Sequence, residues 1–444
     1  MSALNTDLYE LTMAAGYFVA GKAGDVATFE LSIRRLPEPR NFLIAAGLEQ
    51  AVEYLRALRF TAEEIGYLRS LEQFKYTPSG FFDFLSDLRF TGDLFAVPEG
   101  TPVFANEPLA IVRAPLIEAQ LVETYLLSTF AFQTSVASKA ARCIMAAANR
   151  PVIEFGSRRA HSPDAGIWAA RAAYIGGCSG TSNAEAGMRF GIPVFGTAAH
   201  SWTMAFESEE ESFRALQRLL GESTVFLIDT YNTLGGARLT GRVGRPVWGV
   251  RVDSGDLSVL SREVRRILDS AGLGDAKIFA TNDLDEYRLA ELVRSGAAID
   301  AFGVGTQLAT SGDAPSLSAV YKLVELKSGG AVHYTAKFSD EKSTLPGGKQ
   351  IYRYPTHDIV ALASECNSDF EGIPLIRPVL SAGEMIEPLP SITASRDHAT
   401  AAVRSLPARL HAIDERASYP VQISASLVRL AQDLHQEHAR SERL

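Results

Sequence analysis

Cysteine is scarce in this chain of 444 residues: Cys143, Cys178 and Cys366 are odd in number, widely spaced and form no CxxC pair. Such spacing fits reduced thiols in a reducing compartment, buried as small hydrophobes, better than a disulfide framework or a cysteine zinc site. Long apolar runs are missing as well. No segment continues through about 18 uncharged apolar residues, and the opening MSALNTDLYELTM has no basic stretch leading into an apolar one. The expectation is a cytoplasmic protein with no membrane partner. Positive charge is also in deficit. Lys and Arg number 43 against 52 Asp and Glu, a formal charge of -9, which disfavours a nucleic-acid partner because such proteins gather a basic surface field. Any anion bound here should be met by a local cluster.

What is present reads as an ordinary globular chain, 46% hydrophobic and 21% charged. Its length exceeds what one core usually serves, so two domains are expected. Up to about residue 110, helical stretches such as 47–58 mix with extended runs such as 27–33 and 94–97, an α+β pattern. Residues 34–41 (RRLPEPRN) carry two prolines and three arginines, the composition of an exposed, partly extended loop. It is a lid, a dimer contact or a plain solvated connection.

From about residue 150, short apolar runs alternate with amphipathic helices, the signature of repeated βα units. Strands are expected at 152–155, 194–197, 225–229, 247–253, 277–282 and 299–304, and helices at 212–220 and 257–271, with Asp256 and Asp283 as N-caps. The fold class is therefore α/β: an irregular TIM-like barrel with a smaller α+β domain built from the N-terminal and C-terminal segments. The expected division is 1–115, 116–360 and 361–444. The segment 337–353 is polar and Gly/Pro-punctuated, and a terminal helix from Ser424 carries the apolar stripe Leu427, Leu430, Leu434.

Polar residues sit where these strands end. Arg158 and Arg159 follow the first, His200 the second, Asp229 the third; Arg251 and Asp253 close the fourth, Asn282 the fifth, and Gly303 to Thr306 the sixth. In a parallel barrel all these ends share the face that holds the active site. The two arginines offer planar forks suited to phosphate or carboxylate, and one of them is expected to pair with an acid such as Glu154 or Asp164 as structural support. Arg251 and Asp253, two apart on a strand, face one side and either hold a ribosyl group or form a plain ion pair. Gly303 and Gly305 expose backbone N–H groups that suit a phosphate, a weak signal by itself. A lone histidine such as His200 is more often an inert core residue than a catalyst, and no second His or Cys stands at a metal-ligand spacing from it. An exposed imidazole nitrogen is nonetheless all that a phosphoryl carrier requires.

Several segments together, Thr6-Asp-Leu-Tyr-Glu-Leu-Thr-Met13, Gly180-Thr-Ser-Asn-Ala-Glu-Ala-Gly187 and Gly191-Ile-Pro-Val-Phe-Gly-Thr-Ala-Ala-His-Ser-Trp202, resemble the nicotinate phosphoribosyltransferase family, in the same order along nearly the whole chain. The resemblance implies that His200 is phosphorylated by ATP and that Thr197 contacts nicotinate. It implies that Tyr9 stacks on the pyridine ring, from a partner subunit of a homodimer whose sites lie at the interface. Phe155 and Arg158 match the ring-facing phenylalanine and its arginine, Arg251 and Asp253 the residues at nicotinate and ribose, and Gly303, Gly305 and Thr306 the 5′-phosphate site. Nicotinate and 5-phosphoribosyl 1-pyrophosphate would then give nicotinate mononucleotide and pyrophosphate, in NAD salvage, with ATP hydrolysis coupled through phosphohistidine and Mg²⁺ neutralising the leaving group. His200, Arg158 and Asp253 are the expected catalytic residues. Related nicotinamide-using enzymes carry an acid at the position of Ser182, which here favours the acid substrate.

Rival readings are a quinolinate or nicotinamide phosphoribosyltransferase and a non-catalytic ligand-sensing barrel. A doubly wound salvage enzyme is rejected, because the stretch from Val225 to Gly236 lacks the second acid and the tight TGGT of such loops.

Overall fold

The computed structural model describes residues 2–338, 344–365 and 369–441. Cys366 lies outside these residues; Cys143 and Cys178 are free and buried. Two hydrophobic cores organise the chain. One is gathered by a seven-stranded antiparallel sheet and the N-terminal helices, the other by a six-stranded parallel sheet and its flanking helices.

In the seven-stranded sheet, Val26–Ile33 lies between Ala319–Ser328 and Pro108–Pro115, antiparallel to both. Buried along nearly its whole length, it reads as a continuous run of buried positions rather than an alternating one. Strands from both ends of the chain thus complete one sheet, with Arg377–Ser381 pairing with Asp93–Ala96. The long helix Glu123–Ala146 serves both cores: Tyr125, Leu126 and Phe130 enter the first, Val136, Ala137, Ala140 and Cys143 the second. Its alanines admit the helix Pro163–Ile175 so closely that a Cβ on Gly176 would lie 2.2 Å from the Ala137 carbonyl oxygen.

The parallel sheet runs in the order Gly180–Thr181, Val152–Glu154, Ala301–Val304, Lys277–Ala280, Gly249–Val252, Val225–Leu227. Five of the six expected strands are present. The second is displaced: Val194 makes a single parallel bridge to Thr181, and Gly180–Thr181 takes the sheet edge instead. A Cβ on Gly180 would lie 2.3 Å from the Pro193 carbonyl oxygen, so the glycine lets the two segments meet closely, and the apolar run after it is left exposed at Val194 and Phe195. Amphipathic helices cover the sheet as their periodicity predicts, Glu209–Leu220 and Leu257–Ser270 among them. Asp256 caps the latter, accepting from the N–H groups of Ser258 and Val259. Asp283 is not a cap. Asp285 caps Glu286–Arg294, while Asn282 and Asp283 adopt positive φ of 97° and 44° in the turn before it.

The loop at 34–41 also departs from expectation at its end. Arg35 and Glu38 are exposed, but Arg40 and Asn41 are buried. Arg40 pairs with Asp313 at 2.9 Å, Lys139 pairs with Asp313 at 2.9 Å and Glu286 at 2.5 Å, and Arg142 reaches Glu286 at 2.8 Å. Burial of these cations is tolerable because each meets a carboxylate. These ion pairs tie the loop to the long helix and to the helix Glu286–Arg294 beside the parallel sheet. Among the described residues no helix is long and apolar enough to cross a membrane.

Candidate active site

Parallel strands carry their carboxyl ends to one face, and two cavities open there. The first is lined by Arg158, Arg159, Asn282, Asp283, Gly303, Gly305 and Thr306, the second by Ser182, Phe195, Thr197 and His200. Phe155, Arg158, Arg251 and Asp253 wall both. One cavity is thus rich in cations and bare backbone, the other in aromatic and hydroxyl groups.

Arg251 and Asp253 leave the same side of the strand Gly249–Val252 and form an ion pair at 3.1 Å. They are more than a pair. Arg251 Nη1 donates to Thr197 Oγ1 at 2.9 Å and its Nε to Thr281 Oγ1 at 2.9 Å, while the Thr281 hydroxyl donates to Asp253 Oδ1. The Asp253 backbone N–H donates to Asp229 Oδ2 at 2.9 Å, as does the Ser254 hydroxyl at 2.5 Å. Asp229 therefore acts through the backbone that carries Asp253. Phe155 packs edge-on against Phe279, with the Arg251 guanidinium 5.7 Å from its ring centre.

His200 opens the short helix His200–Met204 and is 39% exposed at its side chain. Its Nδ1 is 3.2 Å from Thr230 Oγ1 and its Nε2 is 3.9 Å from Asp253 Oδ2. With Nδ1–H donated to the threonine oxygen, the lone pair falls on Nε2, which faces the cavity.

On the other side, the turn after Val152–Glu154 needs glycine. A Cβ on Gly156 would sit 2.3 Å from the Ala309 Cβ and 2.8 Å from the Gly305 carbonyl oxygen, so this turn packs directly on the Gly303–Thr306 segment. Glu154 is fully buried and accepts from the Gly156 N–H and, at 2.5 Å, from the Thr181 hydroxyl. Burial pushes its carboxyl pKa up, against those two bonds. Glu154 is thereby occupied, and neither Arg158 nor Arg159 pairs with it or with Asp164. Among the described residues the two guanidinium groups form no ion pair, contrary to the expectation for one of them, and both stand exposed at the first cavity. Charge without a protein counterion beside the turn at Gly305 and Thr306 suits a phosphate ligand.

The structure brings Phe155, Arg158, Ser182, Thr197, His200, Arg251, Asp253, Gly303, Gly305 and Thr306 to this face. Tyr9 is not among them. It lies on the helix Leu8–Val19, 46% exposed, where burial of its inner edge and the carboxylates of Glu123 and Glu10 push its hydroxyl pKa up. Thr230, Thr281 and Phe195 stand at the site with no role assigned from the sequence, and Asp283, expected as an N-cap, lines the first cavity instead. Period-two alternation puts Phe279 and Thr281 on one face of their strand, so Thr281 was within reach of pattern reading.

Two family models match the chain: the nicotinate phosphoribosyltransferase N-terminal domain over residues 4–131, and the nicotinate phosphoribosyltransferase family over residues 151–340. The chain is 43% identical over 438 residues to the nicotinate phosphoribosyltransferase pncB2 of Mycobacterium tuberculosis, which spans 96% of this chain and 93% of that protein. It is 43% identical over 392 residues to the nicotinate phosphoribosyltransferase of Bacillus subtilis, covering 85% of this chain and 79% of the relative. A crystal structure of human nicotinic acid phosphoribosyltransferase is similar with a TM-score of 0.83 at 30% identity, covering 97% of this chain and 99% of that one.

Proposed function

The chain belongs to the nicotinate phosphoribosyltransferase family, and from that premise we propose that it joins nicotinate to 5-phosphoribosyl 1-pyrophosphate in NAD salvage, with ATP hydrolysis coupled through phosphorylation of His200. The observation that carries this reading is the shared wall: Phe155, Arg158, Arg251 and Asp253 line both the cation-rich cavity and the one beside His200. A phosphorylated sugar in the first cavity and a flat carboxylate ring in the second would meet at these four residues.

In this reading the ring nitrogen of nicotinate attacks the anomeric carbon, the new N–C bond forms as the C–O bond breaks, and the electron pair leaves with pyrophosphate. Arg251 holds the nicotinate carboxylate, Ser182 lines its pocket without repelling it, and Phe155 lies against the ring. Thr197 contributes its contact to the same substrate while accepting from Arg251. Asp253 stabilises the positive charge that develops on the ribose. Arg158 and Arg159, with the N–H groups of Gly303, Gly305 and Thr306, take the phosphates. Positioning of two bound reactants supplies much of the remaining acceleration. Magnesium needs only one or two carboxylates beside substrate phosphates; Asp253 and Asp283 are the carboxylates of the cation-rich cavity and would hold it there, neutralising charge on the leaving pyrophosphate.

ATP would transfer its terminal phosphoryl group to His200 Nε2, with ADP leaving. The Thr230 contact at Nδ1 supports that choice of nitrogen. An irregular barrel, the division at residues 115 and 360, a cytoplasmic location, and a homodimer in which the partner supplies its copy of Tyr9 belong to the same reading. The exposure of Tyr9 away from both cavities favours the dimer.

The test is direct. Purified protein incubated with labelled ATP should acquire acid-labile, base-stable phosphate that His200→Ala abolishes. Label that persists in the variant, or never forms on wild type, rejects the carrier role. Nicotinate should exceed nicotinamide as acceptor; the reverse preference would overturn the argument from Ser182.

A further inference from the structure

We propose that Thr281 is a positioning residue for this reaction, its single hydroxyl setting the angle of the Arg251 guanidinium and the Asp253 carboxylate together. The proposal rests on the functional reading above and extends it to a nearly buried residue at the wall of the first cavity, to which that reading gives no substrate contact.

A threonine hydroxyl has one proton and two lone pairs. Here the proton goes to Asp253 Oδ1, and a lone pair accepts from Arg251 Nε at 2.9 Å. The oxygen is thus a hinge pin between the two groups. Its own position is fixed from three directions. The Thr281 backbone N–H donates to the Val252 carbonyl at 3.0 Å, registering it against the strand that bears Arg251 and Asp253. Its methyl group packs over Gly303, where an added Cβ would come within 2.7 Å of it. Being β-branched, it has few rotamers to choose from, and it is 4% exposed.

The consequence falls on Arg251. A guanidinium has five N–H donors in a rigid fork. Three are engaged: Nε with Thr281, Nη1 with Thr197, and Nη2 with Asp253. One donor on each terminal nitrogen remains, on a group that walls both cavities. Thr197 and Thr281 hold the fork at opposite ends, so its rotation is set before a carboxylate arrives. Loss of the Thr281 hydroxyl leaves Arg251 Nε and Asp253 Oδ1 each without that partner and frees the fork to turn.

The experiment compares wild type, Thr281→Val, Thr281→Ala and Thr281→Ser in steady-state assays varying nicotinate and ATP separately. Removal of the hydroxyl in Thr281→Val should raise the KM for nicotinate roughly tenfold, the loss of about one hydrogen bond to a charged group. The KM for ATP should stay near wild type, and Thr281→Ser should restore most of the nicotinate affinity. A lower active fraction would reduce kcat without moving KM, so a merely structural role predicts a different pattern. Thr281→Val with wild-type KM for nicotinate, or Thr281→Ser as impaired as Thr281→Val, overturns the proposal. If valine prevents folding, the alanine and serine variants are compared by the same criterion. Wild-type protein that forms no nicotinate mononucleotide rejects the functional reading itself, and calorimetric nicotinate affinities across the same variants then test the positioning role alone.

Discussion

The Thr230 hydroxyl oxygen lies 3.2 Å from Nδ1 of His200. An Nδ1–H that donates to this oxygen places a lone pair on Nε2, the arrangement that the proposed carrier role requires. Thr230→Val should therefore slow labelling of His200 by ATP roughly tenfold, the value of about 1.4 kcal/mol for a lost hydrogen bond, with Thr230→Ser close to wild type. Time courses of acid-labile phosphate incorporation measure it. Equal rates for valine and wild type would mean that the tautomer is set otherwise.

The two arginines after the first parallel strand should separate by substrate. Arg159 lines only the cation-rich cavity, whereas Arg158 lines both. Arg159→Ala should raise the KM for phosphoribosyl pyrophosphate by about tenfold and leave that for nicotinate unchanged, while Arg158→Ala raises both. Identical effects of the two substitutions on nicotinate would contradict this assignment.

Gly303 is held by space. An alanine Cβ there would stand 2.7 Å from Thr281 Cγ2, 2.9 Å from Phe279 Cζ and 3.1 Å from Phe155 Cδ2. Gly303→Ala should destabilise the protein by about 1–3 kcal/mol through overpacking and weaken substrate binding by moving Phe155 and Thr281. Gly66→Ala is the control: it lies within the helix Ala62–Ser70 with nothing within 4 Å, and should gain about 1 kcal/mol from helix propensity. Thermal melts distinguish them; a Gly303→Ala protein as stable as wild type would show that the wall yields.

Glu10 beside Tyr9 confers a pH dependence. Burial raises its carboxyl pKa to about 7, with Glu123 adding to it and hydrogen bonds from Thr124 and Thr6 opposing. An acid whose folded pKa lies above its unfolded one contributes stability that is complete below the unfolded value of 4.5 and is lost as pH rises through about 7. Wild-type Tm should fall across that window by more than that of Glu10→Gln. Parallel profiles for the two proteins would remove Glu10 as the source.

Much of the candidate site was legible because parallel sheets convert sequence position into spatial position. Arg158, Asp229, Arg251, Asp253 and Gly303 to Gly305 each follow or end an apolar run that is in fact a strand of one sheet, and such ends converge without help from the rest of the chain. Where local signals compete, tertiary contacts decide. The run at 194–197 is apolar enough for a strand, yet the sheet edge belongs to Gly180–Thr181, whose missing Cβ permits the closer approach. Asp283 and Asp285 are equally good caps by composition; only the positive φ of Asn282 and Asp283 shows which begins the helix.

By itself the sequence determined the alternation of strand and helix, the strand ends that carry chemistry, and the resemblance that points to a reaction, since all three reside in contiguous residues. Tertiary structure alone decided the partners. That Glu154 is spent on Thr181 and Gly156, leaving both arginines exposed at the cavity, depends on contacts between segments far apart in the chain. So do the burial of Arg40 against Asp313 and the joining of Arg251 to Asp253 through Thr281. A charge acquires its role from what neutralises it, and that is set by packing across the two cores.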